Sequence, residues 1–301
     1  MAERPMRRRR MVHGVPAAGP LEQLLKAVVL IIFCAAVLLP FLAVVSTSVA
    51  PMKQVQQAGG LVLLPQGLDF TAYQALFSGG VVTRALGVSM LVTVGGTALS
   101  LATSCLMAYA LSRPGFLLAR PVMLLVLIGM LFSPGIIPMY LLIKELGLLN
   151  SLWALILPGL VSGFNVLVLR AFFVNLPDQV TESAKIDGAG EWQVFWHIAL
   201  PLSKAVLAVI GLFYAVGYWN AFFNALLYID DTAKWPLQLV LRTYVINETQ
   251  LGSTELATEL VPPQASLQMA ILVVSVIPIL CVYPFLQRHF AKGVLTGAVK
   301  G

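Results

Sequence analysis

Six stretches of this chain are each long and apolar enough to cross a bilayer, and nothing else in the sequence narrows the fold as much. They are Ala27 to Val49, Ala85 to Leu111, Val122 to Leu142, Leu152 to Val174, Ala205 to Tyr228 and Leu267 to Leu286. A helix needs about 20 mostly apolar residues to span the hydrocarbon core. Lipid offers no hydrogen bonds to the backbone, so such a stretch must satisfy its own as a helix unless it closes a barrel. None of the six shows the short alternating pattern of a barrel strand. Charged residues make up only 11% of the chain, where soluble domains run near a quarter. The expectation is an all-α membrane protein with six transmembrane helices.

Lysine and arginine set the orientation, because they gather on the cytoplasmic side. With the N-terminus inside, fourteen of the nineteen basic residues fall on that face, among them Arg7 to Arg10, Arg113, Arg120, Arg170, Lys185, Lys204 and Arg288. The other face holds Lys53, Arg84, Lys144, Lys234 and Arg242. Six spans then give an N-in, C-in topology. Residues 1–26 form a basic cytoplasmic tail, 27–288 the six-span domain and 289–301 a cytoplasmic C-terminal tail. Arg7 to Arg10 reads as an anchor to anionic lipid headgroups, not as a nucleic-acid site. The first apolar stretch is too long for a signal-peptide core.

Within the spans, Gly96, Ser100, Ser104 and Ala108 recur every four residues, so they line one helix face. A stripe of small side chains lets another helix approach closely. Pro134 and Pro138 interrupt the third stretch, and Pro158, Gly159 and Gly163 the fourth. In the fifth, Asn220 and Asn224 lie one turn apart and share a face with Gly217. Two amides in hydrocarbon must pair or face a cavity, so they serve either as interhelical hydrogen bonds or as the wall of a polar pathway. In the second reading Trp219, Asn220, Phe223 and Asn224 are the candidate substrate contacts, with Phe222 a further ring. Amides for hydroxyls and rings for C–H faces suit a sugar.

No Asp, Glu, Lys or Arg lies near the middle of any span, which argues against ion coupling. No P-loop is present. Cys34, Cys105, Cys281 and the three histidines are scattered, so neither a disulfide framework nor a metal site is drawn, and no cofactor is expected. Asp230, Asp231, Lys234 and Trp235 are the nearest approach to a catalytic cluster. They lie in an outer loop without a histidine or cysteine companion.

The most informative stretch is 175–201, between the fourth and fifth spans. Asp178 is placed to cap a helix running to about Asp187, with Gly188 as its left-handed stop. A second helix follows from Glu191 and ends before Pro201. This mixed, charged element is too polar to enter the membrane and reads as a docking element on the cytoplasmic face.

Glu182-Ser183-Ala184-Lys185-Ile186-Asp187-Gly188, nine residues, then Ile198-Ala199-Leu200-Pro201 resembles the E-A-A-x-x-x-G-x(9)-I-x-L-P signature of binding-protein-dependent importer permeases, with Ser183 in place of the first alanine. Tyr218-Trp219-Asn220, Pro236-Leu237-Gln238 and the tail Lys292 to Gly301 resemble the carbohydrate branch, in particular the maltose-type second permease and its oligosaccharide and polysaccharide relatives. The resemblance implies a non-enzymatic transport subunit in a bacterial-type cytoplasmic membrane. It implies a heterodimer with a second permease, two ATP-binding subunits and an extracytoplasmic solute-binding protein. Glu182, Ala184, Asp187, Gly188, Ile198, Leu200 and Pro201 would then couple to the ATPase, with Glu182 pairing a basic residue there. The partner permease would carry most of the sugar site. An importer permease for a non-sugar solute is the alternative, and a membrane-embedded enzyme a more distant one.

Overall fold

The computed structural model describes residues 11–12, 15–16, 20–246 and 262–298. The basic run Arg7 to Arg10 and the last residues of the tail lie outside them. Apart from a two-residue antiparallel ladder, Met11–Val12 with Val15–Pro16, the described chain is helical. The helices are α1 (Pro20–Val49), α2 (Met52–Gln57), α3 (Thr71–Ser78), α4 (Val81–Ser112), α5 (Ala119–Leu131), α6 (Ile136–Glu145), α7 (Trp153–Ile156) and α8 (Gly163–Val174). They continue with α9 (Asp178–Ile186), α10 (Glu191–Val194), α11 (Leu200–Leu202), α12 (Lys204–Trp219), α13 (Phe222–Tyr228), α14 (Leu237–Ile246) and α15 (Gln264–Ala298).

Three helices are long and apolar enough to cross a membrane unbroken: Leu21–Val49, Val81–Ser112 and Gln264–Pro284. Two further helix pairs pass the same test together but are bent, by 50° between α7 and α8 and by 81° at the start of α12. The third, fourth and fifth apolar stretches are therefore interrupted, and each interruption has a local cause. After Leu131 the chain is extended through Pro134, which disfavours the helical region for Ser133, and Gly135 sits at φ +81°. After α7, Pro158 lies in a short 3₁₀ turn and Ser162 then caps α8, its hydroxyl accepting from the Asn165 N–H at 3.5 Å. Between α12 and α13, Ala221 at φ −71°, ψ 58° centres an inverse γ-turn, closed by the Phe222 N–H on the Asn220 carbonyl at 2.7 Å.

The core lies between α4, α8 and α12, around Cys105, Ala108, Tyr109, Val166, Leu169, Ile210, Tyr214 and Tyr218. A second cluster joins α3, the start of α4, α14 and α15 around Trp219 and Leu237. Along its apolar length α1 is exposed. It packs on α15, and its burial is confined to the last turn. There the Thr47 hydroxyl accepts from the Val62 N–H at 2.8 Å and Ser48 meets the Tyr73 hydroxyl at 2.8 Å.

The small-residue stripe of α4 is a helix-packing face, and the side chains it receives are tyrosines. A Cβ on Gly96 would lie 2.9 Å from the Tyr218 ring. Ser100 meets the Tyr218 hydroxyl at 2.7 Å and Ser104 the Tyr214 hydroxyl at 2.6 Å. Tyr218 donates onward to the Ile156 carbonyl at 3.0 Å, and Tyr214 accepts from the Ser162 N–H at 3.0 Å. Both phenols thus supply partners to backbone groups freed by the break between α7 and α8.

Candidate functional site

The segment between α8 and α12 folds as two short helices around a tight turn. α9 begins at Asp178 itself and its N-cap is Pro177 in an extended conformation, so the helix starts one residue earlier than a cap at Asp178 requires. Its end follows the sequence reading. Gly188 adopts φ +85°, its N–H donates to the Lys185 carbonyl at 3.0 Å, and the Ala189 N–H donates to the Ala184 carbonyl at 2.9 Å. That pair of bonds is the Schellman termination, which needs a left-handed residue at this point.

The second helix does not end before Pro201. α10 passes through a π-turn at Phe195–Ala199 into α11, which contains Pro201, and the bend comes at Ser203. Proline clashes with the carbonyl four residues back, and the wider π-turn just ahead of it gives that clash room. Buried Ser203 ties the corner by donating to the Ala199 carbonyl at 2.6 Å.

Glu191, which carries no signature role, is the electrostatic hub of the segment. Its Oε1 receives Lys185 Nζ at 2.6 Å across the Gly188 turn. Its Oε2 accepts from the Tyr109 hydroxyl of α4 at 3.1 Å and lies 3.7 Å from Arg113 Nε just past that helix. The Arg113 guanidinium stacks 4.2 Å over the Tyr109 ring, and Arg170 Nε donates to the Leu111 carbonyl at 3.0 Å. The hydrogen bond from Lys185, with further help from Tyr109 and Arg113, holds the Glu191 carboxyl below the usual carboxylate range. The ends of α4, α8 and α9 are thereby fastened to one carboxylate and its neighbours. Lys185 and Glu191 flank the glycine symmetrically, and that spacing is the signal the sequence offered for this pair.

Of the signature residues, Ala184, Asp187, Gly188 and Ile198 share a cleft of about 360 Å³ with Gln193 and His197. Leu200 packs against the main core and Pro201 is exposed. Glu182 is exposed and makes no ion pair among the described residues. Near it α9 presents Val180 and an Ile186 that is 85% exposed, an apolar pair beside an acid.

The four candidate substrate contacts part company. Trp219 is buried and donates from its indole N–H to the Ser275 carbonyl at 3.1 Å. Asn220 caps its own helix, donating to the Val216 carbonyl at 2.9 Å. Phe223 lines an apolar cavity of about 440 Å³ with Phe222 and Arg242, whose guanidinium sits 4.8 Å over the Phe222 ring. Asn224 lines a different cavity of about 450 Å³ together with Gly217, Tyr214, Tyr218 and Asn165. Asn165, on α8, went unnoticed in the sequence, because a single amide in an apolar run has no periodic partner.

Asp230 and Asp231 belong to a turn. Their N–H groups donate to Asn150 Oδ1 at 2.6 and 3.0 Å, Lys234 Nζ donates to the Asn150 carbonyl at 2.8 Å, and Asp231 accepts from the Ala233 N–H. Among the described residues no group of three His, Cys, Asp or Glu could hold a metal.

Residues 14–296 match the family described as "Binding-protein-dependent transport system inner membrane component". The chain is 46% identical to the polygalacturonan/rhamnogalacturonan transport system permease protein YtcP of Bacillus subtilis, over 90% of this chain and 96% of that one. It is 30% identical to the arabinooligosaccharides transport system permease protein AraQ of Halalkalibacterium halodurans, over 87% and 91%. Among solved structures it superposes with a TM-score of 0.82 and 28% identity on a chain of a bacterial ABC transporter involved in the import of the acidic polysaccharide alginate, covering 92% of this chain and 100% of that one.

Proposed function

Because the chain belongs to the binding-protein-dependent transport system inner membrane components, we propose that it is one of two different permease subunits of an ATP-driven oligosaccharide importer. It forms the pathway with a second permease and couples to a pair of separate ATP-binding subunits. A solute-binding protein delivers the sugar to the outer face. Similarity to carriers of polygalacturonan/rhamnogalacturonan and, by fold, of alginate makes uronate-containing oligosaccharides the first class to test.

The observation that carries this reading is the α9 segment. α9 presents Glu182, Val180 and Ile186 outward, and its far side is fastened through Lys185 and Glu191 to the end of α4. It leads through the 81° corner into α12. An ATPase groove closing on α9 would push on that frame and reach two spans at once. In this assignment the chain crosses the inner membrane six times with both ends inside. The broken α5–α6, α7–α8 and α12–α13 units count as one span each, and 175–201 is the coupling segment. Glu182 pairs a basic residue of the ATPase, Gly188 sets the turn, and Leu200 and Pro201 set the exit.

The test is purification in mild detergent with mass spectrometry of what accompanies the chain. A second permease and a P-loop ATPase are expected, and Glu182→Lys should abolish uptake of an oligogalacturonide by repelling the ATPase. A chain that purifies alone after gentle cross-linking, or a Glu182→Lys variant with normal uptake, would sink the coupling role.

A further inference from the structure

We propose that the helical run Glu191–Leu202 is a membrane-surface anchor, with the exposed rings of Trp192 and Trp196 seated among the phospholipid headgroups of the cytoplasmic leaflet while α9 beside it faces the ATPase. The inference rests on the importer reading for the leaflet it names, and it gives the coupling segment a second contact.

Trp192 is 61% exposed and Trp196 52%. They lie one turn apart on one face, edge to face at a centroid distance of 5.9 Å. The pair is rooted in the core. Trp192 stacks on Phe195 at 5.6 Å, and buried Phe195 packs on Tyr109 of α4 at 4.8 Å. The exposed polar side chains of the same run, Gln193 and His197, turn instead to the cleft they share with Ala184, Asp187 and Gly188, which the tryptophans do not line. The run therefore shows two outer faces, one polar and continuous with α9, the other aromatic.

Direction decides what covers the aromatic face. The run meets α12 at 81°. A helix joined at nearly a right angle to the end of a span lies along the membrane surface. Tryptophan suits that depth, because its ring is apolar and its N–H prefers a wet acceptor. The indole N–H groups of Trp219 and Trp235 donate to carbonyls at 3.1 Å each. Those of Trp192 and Trp196 meet no acceptor among the described residues, which leaves them for headgroup oxygens. Charge agrees with this placement. Lys204, exposed at the corner, makes no ion pair among the described residues, and Glu191, the acid next to the rings, is already held by Lys185 at 2.6 Å. A cation beside two indoles matches a layer of phosphates. Held there, α10 is a pivot, so that force on α9 tilts α12 and does not slide the segment along the bilayer.

The experiment uses the chain co-purified with its partner permease and ATPase, in nanodiscs of phosphatidylcholine either plain or brominated near the top of its acyl chains. Bromine quenches indole fluorescence only at close range. Wild type is compared with Trp192→Phe/Trp196→Phe, in which phenylalanine keeps the stack on Phe195. Bromination should quench the wild type more than the double variant, and the emission that separates the two should be largely lost in brominated discs. Equal fractional quenching in both overturns the anchor. A difference emission that is blue-shifted yet untouched by bromine overturns it too, because the ATPase then covers the rings. Should the double variant fail to co-purify, Trp196→Phe alone gives the same reading for its one ring. A chain that recovers no ATPase overturns the importer reading, and its quenching still scores the anchor by itself.

Discussion

Tyr214 and Tyr218 show how much one residue can do where a helix breaks. Each hydroxyl meets a serine of α4 and a backbone group near the α7–α8 break. In a medium without water those backbone groups would otherwise be left bare. The sequence displayed both halves of this arrangement, serines at 100 and 104 and tyrosines at 214 and 218, but only the fold pairs them. Gly96 is the matching close approach. Gly96→Ala should lower thermal stability in detergent by about 1–3 kcal/mol, because its Cβ overlaps the Tyr218 ring and overpacking costs that much. Gly95→Ala, with nothing within 4 Å of its Cβ, is the control and should melt with the wild type. At Gly188 the space is equally open, so any penalty there is backbone strain alone. Gly188→Val should cost about 1–2 kcal/mol for a side chain held at positive φ. The loss should appear as reduced ATPase co-purification more than as a lower melting point.

At the scale of elements, the stop of α9 and its charge pattern were legible because both are local, while its cap falls on Pro177 and not on Asp178. The end of the coupling segment was not, since the passage of a helix through Pro201 depends on the π-turn before it and on the corner at Ser203. The Glu191 hub was invisible for a different reason, as two of its partners, Tyr109 and Arg113, lie far away in sequence. Pairs this exposed contribute below about 1 kcal/mol each. Glu191→Gln should therefore leave the chain folded while lowering uptake per ATP hydrolysed, and equal ratios in variant and wild type would remove the hub from the coupling path. The pH dependence follows from the depressed carboxyl. Its contribution is complete above the ordinary carboxylate value, about 4.3, and is lost as pH falls through the lower folded value. Limited proteolysis at the Gly188 turn should thus be flat from pH 8 to pH 5 and rise only in stronger acid, whereas Glu191→Gln should be cleaved faster throughout.

For the whole molecule, hydropathy marked where the chain meets lipid but could not show how often it breaks on the way across. Three of the six stretches are interrupted, at Phe132–Gly135, Leu160–Ser162 and Asn220–Ala221. In the first two a proline and a glycine were visible beforehand, whereas the turn at Ala221 parts Asn220 from Asn224, which the sequence placed on one helix face. Tertiary partners divided the fifth-span candidates, turning Trp219 into the core and leaving Asn224 on a cavity. The proposed six-span topology makes its own prediction. In a background lacking Cys34, Cys105 and Cys281, Leu64→Cys should react with a membrane-impermeant maleimide in right-side-out vesicles, and Leu117→Cys only after inversion. Both positions are exposed, and the opposite pattern would reverse the orientation.

The packing of α1 against α15 also sets a clock on biosynthesis. The first helix ends at Val49 and its partner begins at Gln264. At roughly 5–20 residues per second the ribosome needs on the order of 10–40 s to cover that stretch. Throughout this interval α1 is tied through its last turn to Val62 and Tyr73 but lacks α15, the helix its apolar length packs on. The final helix to be made is thus the one that tells the first where to stand, and a ribosome that stalls before Gln264 leaves behind an inserted chain that cannot finish folding.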